Sequence, residues 1–285
     1  MVIQAEQAQE IIDRFRADIA STEGAKLHAL DLSCRSWTRE AIDVLEPFLK
    51  EYGSTLTIVN LDDCIAGRMT DEGLEVMERL ARAFSQSPGL IEIGLNDNAM
   101  GPRGLIRIEP MLQNISLQRL YLSNCGLSAE SMEMLKTSVL ANDGRIAKAL
   151  RELVLDKNMM GIEGAQQVGE FLKHCKNMEY FSYAGCRPQP EGTKSICEGI
   201  LGSTQDNPKP SYRHLNLDDC TIGESEDDAV GPLSRALKKC SQLSFLSMRS
   251  GDLEADGMTM IVDALLESGA HLTDLYLGKC IQKKK

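Results

Sequence analysis

Aromatic side chains are scarce in this chain: six Phe, six Tyr and one Trp make up 5% of 285 residues. With 42% of the residues hydrophobic, the core must be built from aliphatic side chains, Met and Ala. That composition suits many small, similar packing sites better than one irregular centre, and it hints at repetition. No stretch nears the roughly 18 uninterrupted apolar residues of a membrane span. The first twenty residues carry charges throughout and lack an apolar run, so they do not read as a secretory signal. Basic charge is also short. Thirty-one Lys and Arg against 42 Asp and Glu leave a net charge of −11, which argues against nucleic acid, because neutralising phosphates needs clustered cations. A basic partner is the expectation.

Catalytic and metal-binding signatures are missing as well. There is no G-x-S-x-G elbow, no G-x-x-x-x-G-K-S/T loop and no H-E-x-x-H, so a self-contained hydrolase or kinase lacks support. No C-x-x-C pair occurs, and His28, His174, His214 and His271 lie far apart in sequence, which leaves a zinc site without ligands. What the chain does have is nine cysteines, an odd number that cannot all pair internally. A soluble, intracellular chain is expected to keep them as thiols.

The pattern L-x-x-L-x-L-x-x-N/C-x-L recurs along the chain. Copies begin at Leu56, Leu90, Leu117, Leu150, Met178, Tyr212, Leu243 and Leu272, with a weaker first copy at Leu27, 27 to 34 residues apart. This spacing is that of the long class of leucine-rich repeat, a short strand followed by a helix. Leu74, Met77, Leu80, Ala81 and Phe84 show helical spacing in one linker, and Ala165, Val168, Phe171 and Leu172 show it in another. Pro102 suits a first helical position and Ser128 an N-cap. The predicted fold is therefore α/β: a ribonuclease-inhibitor-like solenoid of about nine strand-helix repeats, parallel strands on its concave face and helices on its convex face. Residues 1–26 are read as an N-terminal capping segment, with Ile3, Ile11, Ile12, Phe15 and Ile19 on one face of a helix, and residues 27–285 as the repeat domain. The polar runs before Leu150 and before Tyr212 are expected to be surface loops.

The repeat accounts for most of the thiols. Cys64, Cys125, Cys186, Cys220 and Cys280 occupy its Asn/Cys position, and Asn98 and Asn158 fill it in two other copies. There a small polar side chain pairs buried backbone where the chain turns inward. Arg35 and Gly251 depart from the rule. Cys34, Cys175, Cys197 and Cys240 are read as buried or helix-end thiols. Strand alternation places seven acidic and two basic residues on the concave face, Asp62, Asp156, Asp218 and the amide Asn96 among that face's residues. That face is the predicted docking site for a basic partner. The pairs Asp62-Asp63 and Asp218-Asp219 fall at equivalent places in two repeats and are read as repeat chemistry, not as metal ligands. Just before the Asn/Cys position lies a rim residue, in order Cys34, Asp63, Asp97, Asn124, Lys157, Gly185, Asp219, Ser250 and Lys279. One alone is Asn, and a neutral amide donates and accepts at once.

Three segments resemble the Ran GTPase-activating proteins. IAGRMTDE around Arg68 is similar to that family's glycine-arginine loop, LNDNAMGP from Leu95 to its D-N-A-x-G-P/E turn, and LQRLYLSNCGL from Leu117 to its L-x-x-L-x-L-x-N-x-G strand. Their order agrees too, and DKNMMGIEGA and HLTDLYL extend the similarity over most of the chain, in the manner of plant-type members without the amino-terminal targeting domain. The resemblance implies an activator that is not itself an enzyme and has no cofactor of its own, GTP and Mg²⁺ belonging to the partner. It implies that Asn124 orients the catalytic glutamine of a Ran-type GTPase and that Arg68 supports the loop or docks. Asp62, Asp63, Asn96, Asp97, Asp156 and Asp218 are then the expected partner-binding residues. A Ran-binding-domain protein in a ternary complex and a cytoplasmic location at the nuclear envelope are further implications. Thr70 stands where fungal members carry a basic residue, which puts one contact in doubt. The rival reading is a non-catalytic, ribonuclease-inhibitor-like interaction scaffold whose acidic concave face binds a basic protein.

By the same resemblance a final repeat and an acidic tail are expected, yet the sequence stops at Ile281–Lys285, straight after the ninth strand. A solenoid ending without a cap exposes a core face and an open strand edge. The expectation is either a truncated chain or a second chain covering residues 272–280. Sedimentation tests it, and a stable, well-folded monomer counts against both.

Overall fold

The computed structural model describes residues 1–114, 116–205, 207 and 210–278. It divides into two compact units, Met1–Gly126 and Leu127–Lys285. In each, strands pair with strands in parallel and helices pack on the helices next in sequence. This is the α/β leucine-rich-repeat architecture that the spacing predicts.

The first unit begins with β1 (Val2–Ile3), α1 (Ala5–Ala20), β2 (Ala29–Asp31), β3 (Ser36–Trp37) and α2 (Arg39–Tyr52). Strand and helix then alternate as β4 (Ile58–Asn60), α3 (Thr70–Phe84), β5 (Glu92–Gly94), α4 (Gly101–Leu112) and β6 (Arg119–Tyr121). β2, β4, β5 and β6 lie side by side in chain order, with Ala29, Ile58, Glu92 and Arg119 in register. Their central residues Leu30, Val59, Ile93 and Leu120 are all buried, as strand alternation requires. Leu74, Met77, Leu80, Ala81 and Phe84 are buried along α3, so the helical spacing marks the face that covers the sheet. Pro102 is the second residue of α4, where its missing N–H costs no helical bond.

The amino-terminal segment corrects one expectation. Ile3 is not on the helix but on β1, which pairs with Ser36–Trp37 and buries Ile3 completely. The short β3 offers an open edge, and the Ser36 N–H donates to Met1 O at 2.8 Å. α1 packs against α2 through Ala8, Ile12 and a stack of Phe15 on Phe48 with centroids 5.8 Å apart.

The second unit runs α5 (Ala129–Ala149), β7 (Glu152–Val154), α6 (Gly161–Leu172), β8 (Tyr180–Ser182), α7 (Gln189–Thr204), β9 (His214–Asn216), α8 (Val230–Leu237), β10 (Phe245–Ser247), α9 (Ala255–Ser268) and β11 (Asp274–Tyr276). Glu152, Tyr180, His214, Phe245 and Asp274 are in register across its five parallel strands. Ser128 is the N-cap of α5. The insertion before Leu150 is only in part a loop. Ala141 to Gly144 break the helix, three of them in the left-handed region, and the chain then returns to helix because Ile146 and Ala147 are buried. In the polar run before Tyr212, Gly202 to Thr204 belong to α7, while residues 206, 208 and 209 lie outside the described residues. α6 and α7 pass so closely that a Cβ at Gly199 would stand 2.5 Å from Gly169 O. Among the described residues no helix is long and apolar enough to cross a membrane.

The Asn/Cys position makes a ladder of its own. In the first unit Asn98 Nδ2 donates to Leu61 O at 2.8 Å and to Leu95 O at 2.7 Å, while its Oδ1 accepts the Cys64 N–H at 3.0 Å. Cys125 Sγ reaches Leu95 O at 3.1 Å. In the second unit Asn158 Nδ2 and Cys186 Sγ both reach Leu155 O, and Cys220 Sγ lies 3.5 Å from Tyr183 O. Each donor thus satisfies a buried carbonyl at the end of a strand. Burial pushes the Cys125 and Cys186 thiols up to about 12, so at neutral pH both keep the proton they donate. Where the first copy has Arg35 at this position, Trp37 Nε1 takes over and donates to Leu32 O at 2.9 Å. Cys64 instead lies against the Met77 sulfur at 3.5 Å. Cys175, Cys197 and Cys240 are buried, but Cys34 is exposed at a turn, contrary to its reading as an ordinary buried or helix-end thiol. Lys279, Cys280 and Ile281–Lys285 lie outside the described residues.

The ladder predicts how Asn98 tolerates replacement. Asn98→Leu strands the Leu61 carbonyl and the Cys64 N–H and leaves Leu95 O to the Cys125 thiol alone, and it should cost about 3 kcal/mol, whereas Asn98→Cys, which can still donate one bond, should cost roughly half as much. Urea unfolding of the two variants measures the difference, and equal losses would show that the donor is not what matters.

Candidate functional site

The rim residue is the first constraint on any site here. Cys34 (φ 55°), Asp63 (52°), Asp97 (61°), Asn124 (52°), Lys157 (55°), Gly185 (70°), Asp219 (60°) and Ser250 (56°) all adopt the left-handed conformation. The strand leaves the sheet through this residue, and its backbone N–H still bonds to the next strand: Asp63 N to Asn96 O, and Asp97 N to Ser123 O, both at 2.8 Å. Asn, Asp and Gly tolerate a positive φ best, so much of the residue choice at the rim is backbone chemistry. Cys34, Lys157 and Ser250 occupy it against their preference.

Within the first unit, Asn124 and Asp97 stand on neighbouring turns and both are exposed. Asn124 Nδ2 donates to Asp97 Oδ1 at 2.8 Å. Among the described residues nothing donates to Asn124 Oδ1. One step toward the sheet lies a second, more buried row. Asp62 accepts the Asn96 N–H on Oδ1 at 2.8 Å and Asn96 Nδ2 on Oδ2 at 3.0 Å. Asn96 Oδ1 in turn accepts the Ser123 N–H at 2.8 Å. Burial raises the Asp62 carboxyl above the usual carboxylate range, and the two bonds from Asn96 oppose the shift. Gly94 leaves room for this row, since a Cβ there would stand 2.9 Å from Asp62 Oδ1.

Arg68 takes no part in either row. It follows Gly67 (φ 71°) and folds over the first turn of α3, where its side chain is 18% exposed and Nη1 lies 3.7 Å from Glu72. Its Nε is buried without a partner among the described residues. The arrangement braces the loop between β4 and α3. No bond or ion pair among the described residues joins Arg68 to Asn124.

The second unit repeats the inner row. Asp156 Oδ1 accepts Ser182 Oγ at 2.6 Å and the Ala184 N–H at 2.8 Å. Asp218 accepts Ser247 Oγ and the Arg249 N–H, and Arg249 Nε lies 3.2 Å from its other oxygen. Asp62, Asp156 and Asp218, expected as docking charges, thus hold adjacent strands together. Of the rim carboxylates, Asp97 and Asp219 are exposed and Asp63 is half-buried. On the strand face of this unit, Tyr180, His214 and Phe245 stack ring on ring at 3.8 and 3.9 Å, and Arg249 lies 4.5 Å over the Tyr276 ring. Burial lowers His214 to about 4, so this row is uncharged at neutral pH. Sequence alternation placed these side chains on one face. Only the register shows that they stack.

Cavities of about 580 and 460 Å³ lie on the helix side of the first unit, against α2 with α3 and α3 with α4, and neither is lined by Arg68 or Asn124. The candidate residues form an open rim suited to another macromolecule and not to an enclosed small ligand.

No family model matches the chain. The chain is 27% identical to the ribonuclease inhibitor of Mus musculus over 241 residues, covering 74% of this chain and 50% of that protein. It is 26% identical to NACHT, LRR and PYD domains-containing protein 5 of Mus musculus, covering 81% of this chain and 16% of that protein. It is 25% identical to the Ran GTPase-activating protein of Drosophila melanogaster, covering 69% of this chain and 33% of that protein. The chain spans about half the length of the ribonuclease inhibitors it matches. Together with the fold, these likenesses make it a leucine-rich-repeat protein.

Asp156 carries a pH prediction. Burial raises its carboxyl above the ordinary range, so the folded chain holds this proton more tightly than the unfolded chain does. The stability linked to that proton is complete below the unfolded value of about 3.9 and is lost as pH rises through the folded value. Asp156→Asn keeps an oxygen for Ser182 and Ala184 and has no proton to lose. Its stability relative to the parent should therefore improve from about pH 3.5 to pH 7. Urea unfolding across that range checks it, and a constant difference would refute it.

Proposed function

We propose that this leucine-rich-repeat protein stimulates GTP hydrolysis by a Ran-type small GTPase, with Asn124 orienting the partner's catalytic glutamine. The observation that carries the reading is the state of Asn124. It is an exposed amide on a rigid left-handed turn, anchored through Nδ2, with its oxygen unengaged among the described residues. Such a group accepts an N–H from a glutamine side chain and aims that side chain at the attacking water. Phosphoryl transfer responds mainly to positioning and charge stabilisation, and activators can contribute on the order of 10⁵-fold. GTP and Mg²⁺ stay with the partner.

Arg68 fits a bracing role, since it is folded onto α3 beside Glu72 and does not project from the rim. Asp63 supplies negative charge on the same rim for docking, and a Ran-binding-domain protein would bind the GTPase in a ternary complex. The likeness to a protein named for Ran GTPase activation supports this reading, as do the three segments around Arg68, Asp97 and Asn124.

A second reading is a non-catalytic scaffold that binds a basic protein. It is favoured by the likeness to ribonuclease inhibitors and by the uncharged ring row Tyr180, His214 and Phe245, which is an interface-like surface with no part in the proposed activation.

Single-turnover GTP hydrolysis by a purified Ran-type GTPase separates the two. Wild-type protein should accelerate it, and Asn124→Ala should lose roughly 10²-fold or more of the stimulation while binding is largely kept. Asn124→Gly, which meets no strain at φ 52°, should lose as much. Unchanged stimulation removes Asn124 from the mechanism, and no acceleration by micromolar wild type favours the scaffold.

A further inference from the structure

We infer that Asp97 is a positioning residue for Asn124: it holds the amide so that Nδ2 points back to the protein and Oδ1 faces the partner. The inference rests on the proposed activation of a GTPase and names a group that works through Asn124 without touching the reacting atoms.

The geometry has three parts. Both residues are the left-handed residue of successive strand-exit turns, and the bonds Asp97 N to Ser123 O and Leu95 N to Tyr121 O tie the two turns together. The Asn124 Nδ2 to Asp97 Oδ1 bond is 2.8 Å, a charge-assisted length. The inner row is already complete, because Asn96 bonds to Asp62 and to the Ser123 N–H, so Asp97 is not needed to pair those strands.

An asparagine amide has a broad, roughly two-fold preference about its last torsion. On an exposed turn without Asp97, oxygen and nitrogen would exchange places, and part of the molecules would present N–H donors where the partner needs an acceptor. A carboxylate cannot donate, so it admits one orientation. It also polarises the amide and makes Oδ1 a better acceptor. Among the described residues Asp63, one turn earlier on the same rim, makes no bond to a rim side chain, so the pairing belongs to the turn that precedes Asn124.

The left-handed backbone makes the test clean. Asp97→Gly removes the acceptor at a position where glycine is unstrained, and Asp97→Asn, which also tolerates positive φ, keeps an acceptor but adds a donor, so it no longer admits a single orientation. In single-turnover hydrolysis with a Ran-type GTPase, Asp97→Gly should lower the maximal stimulated rate by about 3- to 10-fold with little change in the concentration giving half-maximal rate, and Asp97→Asn should recover only part of it. Urea midpoints for both variants should stay near the parent's. In ¹⁵N-labelled protein the Asn124 side-chain amide should give two well-separated proton resonances that move together in Asp97→Gly. The assignment is overturned if Asp97→Gly matches wild type while Asn124→Ala is defective, or if only the half-maximal concentration changes, as lost docking charge would cause. Absence of stimulation by wild type overturns the activation reading and this assignment with it. A full wild-type rate in Asp97→Asn, which admits both orientations of the Asn124 amide, also overturns the assignment.

Discussion

The strands lead into turns where the carbonyls of the buried residues Leu32, Leu61, Leu95, Leu155 and Tyr183 face inward, and the structure depends on giving these oxygens a donor. Asn98 serves Leu61 and Leu95, Cys125 serves Leu95, Cys186 serves Leu155 and Cys220 serves Tyr183. An unpaired carbonyl at each turn would cost on the order of 1–3 kcal/mol, and repeated along the chain that would exceed the stability of an ordinary domain. The thiol is a weak donor, but burial keeps it protonated and its small volume fits beneath the turn. Trp37 shows that the requirement is the donor and not the residue type, since its indole serves Leu32 where the ladder lacks a Cys or Asn.

The turn that buries this carbonyl also turns the preceding residue outward in the left-handed region. The rim is therefore a set of side chains on rigid stalks, at equal places in successive repeats, and function can vary there without disturbing the core. Asn124 and Asp97 occupy two adjacent stalks of the first unit. Their residue types satisfy the backbone first, which is why Asp, Asn and Gly recur at the rim, and the bond between them adds an orientation that backbone preference alone does not supply.

The inner acidic row illustrates the limit of reading charge from a sequence. Asp62, Asp156 and Asp218 alternate onto the strand face as expected, yet each accepts bonds from the following strand, and burial raises Asp62 and Asp156. A pattern of two says which face a side chain leaves from. It does not say whether a donor from a residue some 30 positions later will meet it.

The sequence by itself determined the repeat, the buried columns and the ladder positions, because these follow from local periodicity and from one small polar residue at a fixed offset. It also singled out Asn124 as the one rim amide. Tertiary structure alone decided that Ile3 belongs to a strand, that α5 breaks at Ala141–Gly144 and resumes, that Gly169 and Gly199 let two helices touch, and that Asp97 holds Asn124. Each of these joins or reorients segments through inter-strand register, helix approach or burial, and those quantities exist only once neighbouring repeats have packed.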